Sequence, residues 1–188
     1  MGNLRSVEKA VELLGFRAQV SSRLEGTSKL IIPGVGAFGA AMERLLPMRD
    51  DIRAFAAEGR PLMGICLGQQ LLFDRSEEQG DHEGLGLISG SVRYIPGNLG
   101  LKVPHIGWSP LTYLHANGLC AEGNTGEQVY FVHSLYTQCD DPTDIAATAE
   151  YGIEFAAAVQ RENIWGTQFH PEKSSAVGLR ILKNFLLC

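Results

Sequence analysis

The stretch Pro61-Leu62-Met63-Gly64-Ile65-Cys66-Leu67-Gly68-Gln69-Gln70 decides the reading of this chain. A short apolar run ends in Gly-x-Cys-x-Gly and passes into an apolar-periodic segment. A side chain that is to attack a carbonyl must project from a tight strand-to-helix turn, and glycines on both sides leave room for that strained backbone. The turn aims Cys66 at a helix N-terminus, where unpaired N–H groups and the helix dipole favour a thiolate. A lone Gly-x-Cys-x-Gly more often holds a small buried hydrophobe than a nucleophile. The catalytic reading therefore depends on a second segment, Gly166-Thr167-Gln168-Phe169-His170-Pro171-Glu172.

Proline pushes the residue before it out of the helical region, so His170 is expected to be extended. Residues i and i+2 of an extended chain share a face. Glu172 can then hold one imidazole nitrogen while the other faces the Cys66 sulfur, which is the nucleophile, base and orienting-acid arrangement of thiol amidases. An oxyanion site needs two N–H groups. The elbow supplies the amide of Leu67, and the glycine-rich loop Pro33-Gly34-Val35-Gly36, after a buried strand, is the natural source of the other. Gln70 and Glu78 lie four and twelve residues beyond Cys66 and can turn toward the same pocket, although by spacing alone Glu77 and Glu78 are more often just a solvated face.

The bulk properties bound this reading. At 188 residues the chain suits one hydrophobic core, so residues 1–188 are expected to form a single domain. With 45% hydrophobic and 20% charged residues it has the composition of a soluble globular protein, and no apolar run approaches a membrane span. A net charge of −5 leaves no broad basic surface for nucleic acid. Cys66, Cys120, Cys139 and Cys188 show no C-x-x-C pairing and no secretory signal, which favours reduced thiols in the cytoplasm. The histidines lack zinc spacing, so no metal site is expected.

Periodicity predicts a helix from Met1 to Leu14 stopped by Gly15, a short strand at 16–20, and a buried strand at 29–32. Helices follow at 40–46 and 50–58, interrupted at Pro47, and the helix after Cys66 carries Leu67, Gln70, Leu71 and Asp74. Short strands are expected at 84–88 and 91–95. The Pro104-His105-Ile106-Gly107-Trp108 segment reads as an exposed connection, although a tryptophan is more often packed than exposed. A strong strand spans 128–134, and a weaker candidate lies at 145–148. Strands at 154–160 and 164–169 form a hairpin that delivers His170, and a helix at 176–187 closes the chain.

Gly64-Ile65-Cys66-Leu67-Gly68, Pro33-Gly34-Val35-Gly36 and Phe169-His170-Pro171-Glu172 together resemble the triad-type (class I) glutamine amidotransferases. The resemblance runs from Gly2-Asn3-Leu4-Arg5-Ser6-Val7 to His170-Pro171-Glu172-Lys173-Ser174-Ser175. The Pro104–Trp108, Tyr130–Ser134 and His170–Ser175 segments are similar to one branch of that family. These are glutaminase subunits that pass ammonia to a separate cyclase subunit building imidazole glycerol phosphate for histidine synthesis.

The resemblance implies a three-layer α/β fold, an open and mostly parallel sheet flanked by helices. It implies Cys66, His170 and Glu172 as the triad, Val35 and Leu67 as oxyanion donors, and Gly36, Gln70, Glu78, Ser134 and Leu135 as glutamine contacts. It further implies a heterodimer with a (β/α)8-barrel synthase subunit, and no cofactor or metal. Trp108, a large amphipathic ring on a short connection, is the candidate anchor for that partner. Two positions depart from the pattern: Ser109 stands where the family usually has asparagine, and Leu135 where it has an aromatic residue. Relatives begin with an apolar strand before Gly-Asn-Leu, so the sheet is expected to lack that first strand. Subunits of other amidotransferase pathways, such as those of anthranilate or aminodeoxychorismate synthesis, are the rival enzyme reading, which the Pro-His-x-Gly-Trp segment disfavours. A noncatalytic module on the same fold is the rival outside catalysis.

Overall fold

The computed structural model describes residues 4–115 and 118–188. The predicted helix start at residues 1–3 therefore lies outside the described residues. In chain order the helices are α1 Leu4–Leu13, α2 Phe38–Leu45, α3 Arg49–Ala57, α4 Leu67–Leu71 and α5 Ser175–Leu187. The strands are β1 Leu30–Gly34, β2 Leu62–Cys66, β3 Phe73–Ser76, β4 His82–Glu83, β5 Ile88–Tyr94 and β6 His105–Pro110. They continue with β7 Thr112–Tyr113, β8 Gln128–His133, β9 Leu135–Cys139, β10 Ile145–Glu150, β11 Glu154–Arg161 and β12 Ile164–Thr167.

A six-stranded sheet in the order β1-β2-β12-β11-β10-β7 forms the middle layer. Strand β2 pairs in parallel with both β1 and β12. Beyond β12 the sheet turns antiparallel, because the tight reversal at Glu162 and Asn163 returns the chain directly alongside β11. Parallel pairing is thus concentrated around the strand that ends in Cys66. All five residues of β2 are buried, and the strand feeds two cores. Met63 and Ile65 pack with α1 and α5 through Val7, Val11, Ile181, Leu182 and Phe185. Leu62 packs on the opposite face with Phe38, Met42, Ile52 and Phe55 of α2 and α3. Burial on both faces explains why the strand is apolar without alternation.

A four-stranded sheet, β4-β3-β5-β9, and a β6-β8 ribbon complete the fold. Three expectations change here. The segment at 16–20 alternates in burial and sends Phe16 and Ala18 toward the core, yet it finds no strand partner and is not a strand. Residues 84–87 are irregular, their amides bonding back to Leu71, Leu72, Phe73 and Asp74, and the strand begins only at Ile88. The Pro104–Trp108 connection is largely strand β6, because β8 lies beside it with His105 opposite His133. Among the described residues no helix is long and apolar enough to cross a membrane.

Candidate active site

Cys66 closes β2 and stands at the N-cap of α4 with φ 56° and ψ −110°, a backbone region that a residue bearing Cβ enters only under strain. The flanking glycines are dictated by close approach. A Cβ on Gly64 would fall 2.4 Å from the Gly68 carbonyl oxygen, and one on Gly68 would fall 1.7 Å from the Ile32 carbonyl oxygen. Helix α4 is only five residues long, shorter than the sequence expectation, because β3 begins two residues after it ends. The helix dipole acting on Cys66 is correspondingly small.

His170 is extended, with φ −95° and ψ 98°, and its Nδ1 lies 2.9 Å from Glu172 Oε1. Both side chains are wholly buried. The contact arises differently from the expected extended i, i+2 geometry: Pro171–Lys173 form a 3-10 turn that folds Glu172 back onto the ring. Ser174 locks this turn by donating to the His170 carbonyl at 2.6 Å and accepting from the Tyr130 amide at 2.9 Å. Burial pushes the His170 imidazole down, but hydrogen bonds with Cys66 and Glu172 and their negative charge outweigh it and raise the pKa to about 9. The ring is therefore held toward the imidazolium form beside the sulfur.

Gly34 is the register partner of Cys66 across β1 and β2, so the residues after it, Val35 and Gly36, leave the sheet beside Leu67. Val35 is half-exposed, and Gly36 has φ 109°, open to glycine and strained for other residues. Glu78 accepts from the Phe38 amide at 2.5 Å and so caps α2 directly after this loop. Its carboxylate anchors the segment directly after the glycine loop.

Gln70 is buried, and its Nε2 donates to the Leu135 carbonyl at 3.2 Å and to Gln168 Oε1 at 3.0 Å. Ser134 sits in the bend between β8 and β9, where its carbonyl accepts from Ile95. Trp108 is 50% exposed on the outer face of β6 and meets Tyr130 edge-on at 6.0 Å between centroids. It stands apart from the sulfur but is joined to the His170 segment through Tyr130, whose carbonyl accepts from the His170 amide.

Sequence reasoning passed over Gln168, whose Nε2 lies 3.8 Å from Cys66 Sγ. The signal was present, since Gln168 is two residues before His170 on an extended approach and shares its face. It also passed over His105 and His133, which are brought together by the β6-β8 register and by nothing local.

The family profile described as "Glutamine amidotransferase class-I" matches residues 2–188. The chain is 48% identical to the imidazole glycerol phosphate synthase subunit HisH of Syntrophotalea carbinolica, with 98% of this chain and 95% of that one covered. It is 43% identical to the subunit of the same name from Aquifex aeolicus, with 98% and 91% covered. Among solved structures, a glutamine amidotransferase superposes with a TM-score of 0.74 at 22% identity, covering 98% of this chain and 94% of that chain. PurLQS from Thermotoga maritima superposes with a TM-score of 0.71 at 18% identity, covering 97% and 91%. These two likenesses bear on the fold, which they share over nearly its whole length. The sequence matches show that this chain is a glutamine amidotransferase of class I and belongs with the HisH subunits.

Proposed function

We propose that this chain is the glutaminase subunit of an imidazole glycerol phosphate synthase, working in histidine biosynthesis as one amidotransferase domain. The observation that carries the reading is the buried Cys66, His170 and Glu172 line beyond the ends of the paired strands β2 and β12, in a chain 48% identical to a HisH subunit.

In this mechanism the Cys66 thiolate attacks the carboxamide carbon of glutamine, and a C–S bond forms as the carbonyl becomes an oxyanion. The amides of Leu67 and Val35 receive that charge, since both follow the paired residues Cys66 and Gly34. His170 gives its proton to the departing amine, which leaves as ammonia. The neutral imidazole then takes a proton from water, whose oxygen attacks the thioester, and glutamate and the thiolate are released. Glu172 holds the ring through Nδ1 and balances the imidazolium charge. Gly36, Gln70, Glu78, Ser134 and Leu135 border the position for the substrate.

Ammonia passes to a synthase subunit of (β/α)8-barrel form in a heterodimer, in the cytoplasm. Trp108 and Ile106, 50% and 57% exposed on the outer face of β6, are the apolar anchors for that partner. The test is glutamine hydrolysis by the chain with its synthase partner, comparing the parent with Cys66→Ser. The serine variant is expected to fold and to lose activity, because an alcohol is a far poorer nucleophile at neutral pH. Retention of more than about a tenth of the rate would remove Cys66 from the mechanism.

A further inference from the structure

A second line of buried polar groups approaches the sulfur from β6. Ser109 Oγ lies 2.9 Å from His105 Nε2, His105 Nδ1 lies 3.0 Å from His133 Nε2, and His133 Nδ1 lies 2.7 Å from the Leu135 carbonyl oxygen. The Leu135 oxygen also accepts from Gln70 Nε2, which donates to Gln168 Oε1, leaving Gln168 Nε2 directed at Cys66 Sγ. Ser109, His105, His133, Gln70 and Gln168 are all buried. His105 is further clamped by stacking on Tyr151 at 4.0 Å and Phe131 at 5.0 Å between centroids.

The polarity of the line follows from its members. A carbonyl only accepts, so His133 carries its proton on Nδ1 and presents a lone pair on Nε2. His105 must then donate from Nδ1 and accept at Nε2, which calls for the Ser109 hydroxyl proton. Beyond Leu135 the carbonyl again only accepts, so Gln70 presents its NH2 group, Gln168 accepts with oxygen and the Gln168 NH2 faces the sulfur. The histidines act on this half by holding the Leu135 carbonyl in place for Gln70. An N–H directed at sulfur favours the thiolate, whereas the flipped amide would set oxygen against it. Both histidines stay neutral, since burial lowers the pKa of each, His133 to about 4 despite the opposing Leu135 hydrogen bond.

We propose that Ser109, His105 and His133 are positioning residues that act through the Leu135 carbonyl, Gln70 and Gln168 to hold an N–H donor toward the Cys66 sulfur, linking strand β6 to the nucleophile. The proposal rests on the reading of Cys66 as nucleophile. Removing the Ser109 hydroxyl leaves His105 Nε2 without its donor and frees the opposite tautomer. His133 would then be required to donate from Nε2 and would set a lone pair against the Leu135 oxygen.

The test uses the full chain. Histidine tautomers are read by 15N NMR, Cys66 thiolate by its rate of alkylation with iodoacetamide, and glutamine kcat and KM with the synthase partner bound. Ser109→Ala is expected to move His105 and His133 from pure Nδ1–H toward a mixture. It should slow alkylation about threefold to tenfold and lower kcat with little change in KM, and Ser109→Thr should restore all three. Unchanged tautomers overturn the proposal, and so do changed tautomers with unchanged alkylation. If Ser109→Ala also loses thermal stability, the His133→Asn background decides. Asparagine can still donate to Leu135 but breaks the line to His105, so adding Ser109→Ala there should slow alkylation no further. An equal slowing on both backgrounds overturns the relay. Failure of the nucleophile reading would appear separately, as glutamine turnover surviving in Cys66→Ser.

Discussion

The position that a Cβ would occupy on residue 68 lies 1.7 Å from the carbonyl oxygen of Ile32, so Gly68 lets α4 rest directly on the backbone of β1. No side-chain adjustment can relieve such a contact, because the opposing atom belongs to a hydrogen-bonded strand. Gly68→Ala must separate α4 from β1 and is expected to cost about 4 kcal/mol or to prevent folding. Gly97→Ala is the control, with nothing within 4 Å of its added carbon, and is expected to shift stability by less than about 0.5 kcal/mol. Urea denaturation of both variants measures the difference, and comparable midpoints would show that the elbow yields easily.

Cys66 itself is strained, at φ 56° and ψ −110°, in a region that glycine enters freely. Cys66→Gly is therefore expected to be more stable than Cys66→Ala by about 1 kcal/mol, the reverse of the order found in ordinary strands and helices. Thermal denaturation of the two variants checks it. If the alanine variant is the more stable, the elbow carries no backbone strain of consequence.

The elevated His170 pKa carries a signature in stability against pH. The pKa rises from an ordinary 6.5 to about 9 because hydrogen bonds with Cys66 and Glu172 overcome burial. A histidine raised in the folded state contributes stability that is complete below pH 6.5 and is lost as pH climbs through 9. Glu172→Gln removes one of the raising causes, so its melting temperature should fall less between pH 6.5 and pH 9 than that of the parent. Parallel profiles would place the imidazolium's support elsewhere than Glu172.

Trp108 lies half-exposed beside Tyr130 and contributes little to the core. Trp108→Ala is expected to weaken binding of the synthase partner by about 2 kcal/mol, roughly thirtyfold in Kd, while the melting temperature stays within about 2 °C. Titration calorimetry with the partner, alongside a melting curve, separates the effects. Full affinity in the variant would move the docking surface off β6.

Much of the elbow around Cys66 and of the His170–Glu172 contact was legible in the chain because their constraints are local. Gly64, Gly68 and Cys66 are fixed by one strand-to-helix turn, and the short His170-Pro171-Glu172 spacing brought that pair together, although through a 3-10 turn rather than the extended geometry expected. The hairpin ending in Ile164–Thr167 was readable for the same reason, through its tight turn at Glu162 and Asn163. The strand at 105–110 was not, since its residues become a strand only when Gln128–His133 lies alongside, and pairing at that separation is set by the closed fold.

The sequence by itself determined the local settings of Cys66 and of the His170–Glu172 pair, because each depends on neighbours within a few residues, while the pairing of β2 with β12 brings the two together. Only the tertiary structure decided that His105 meets His133, that Glu78 caps the helix after the glycine loop, and that Gln70 holds Gln168 with its amide toward the sulfur. Those contacts join residues 28, 40 and 98 positions apart. A hydrogen bond of that kind leaves no periodicity in the chain. It exists because burial leaves each polar group only the partners that the packing of strands and helices brings to it.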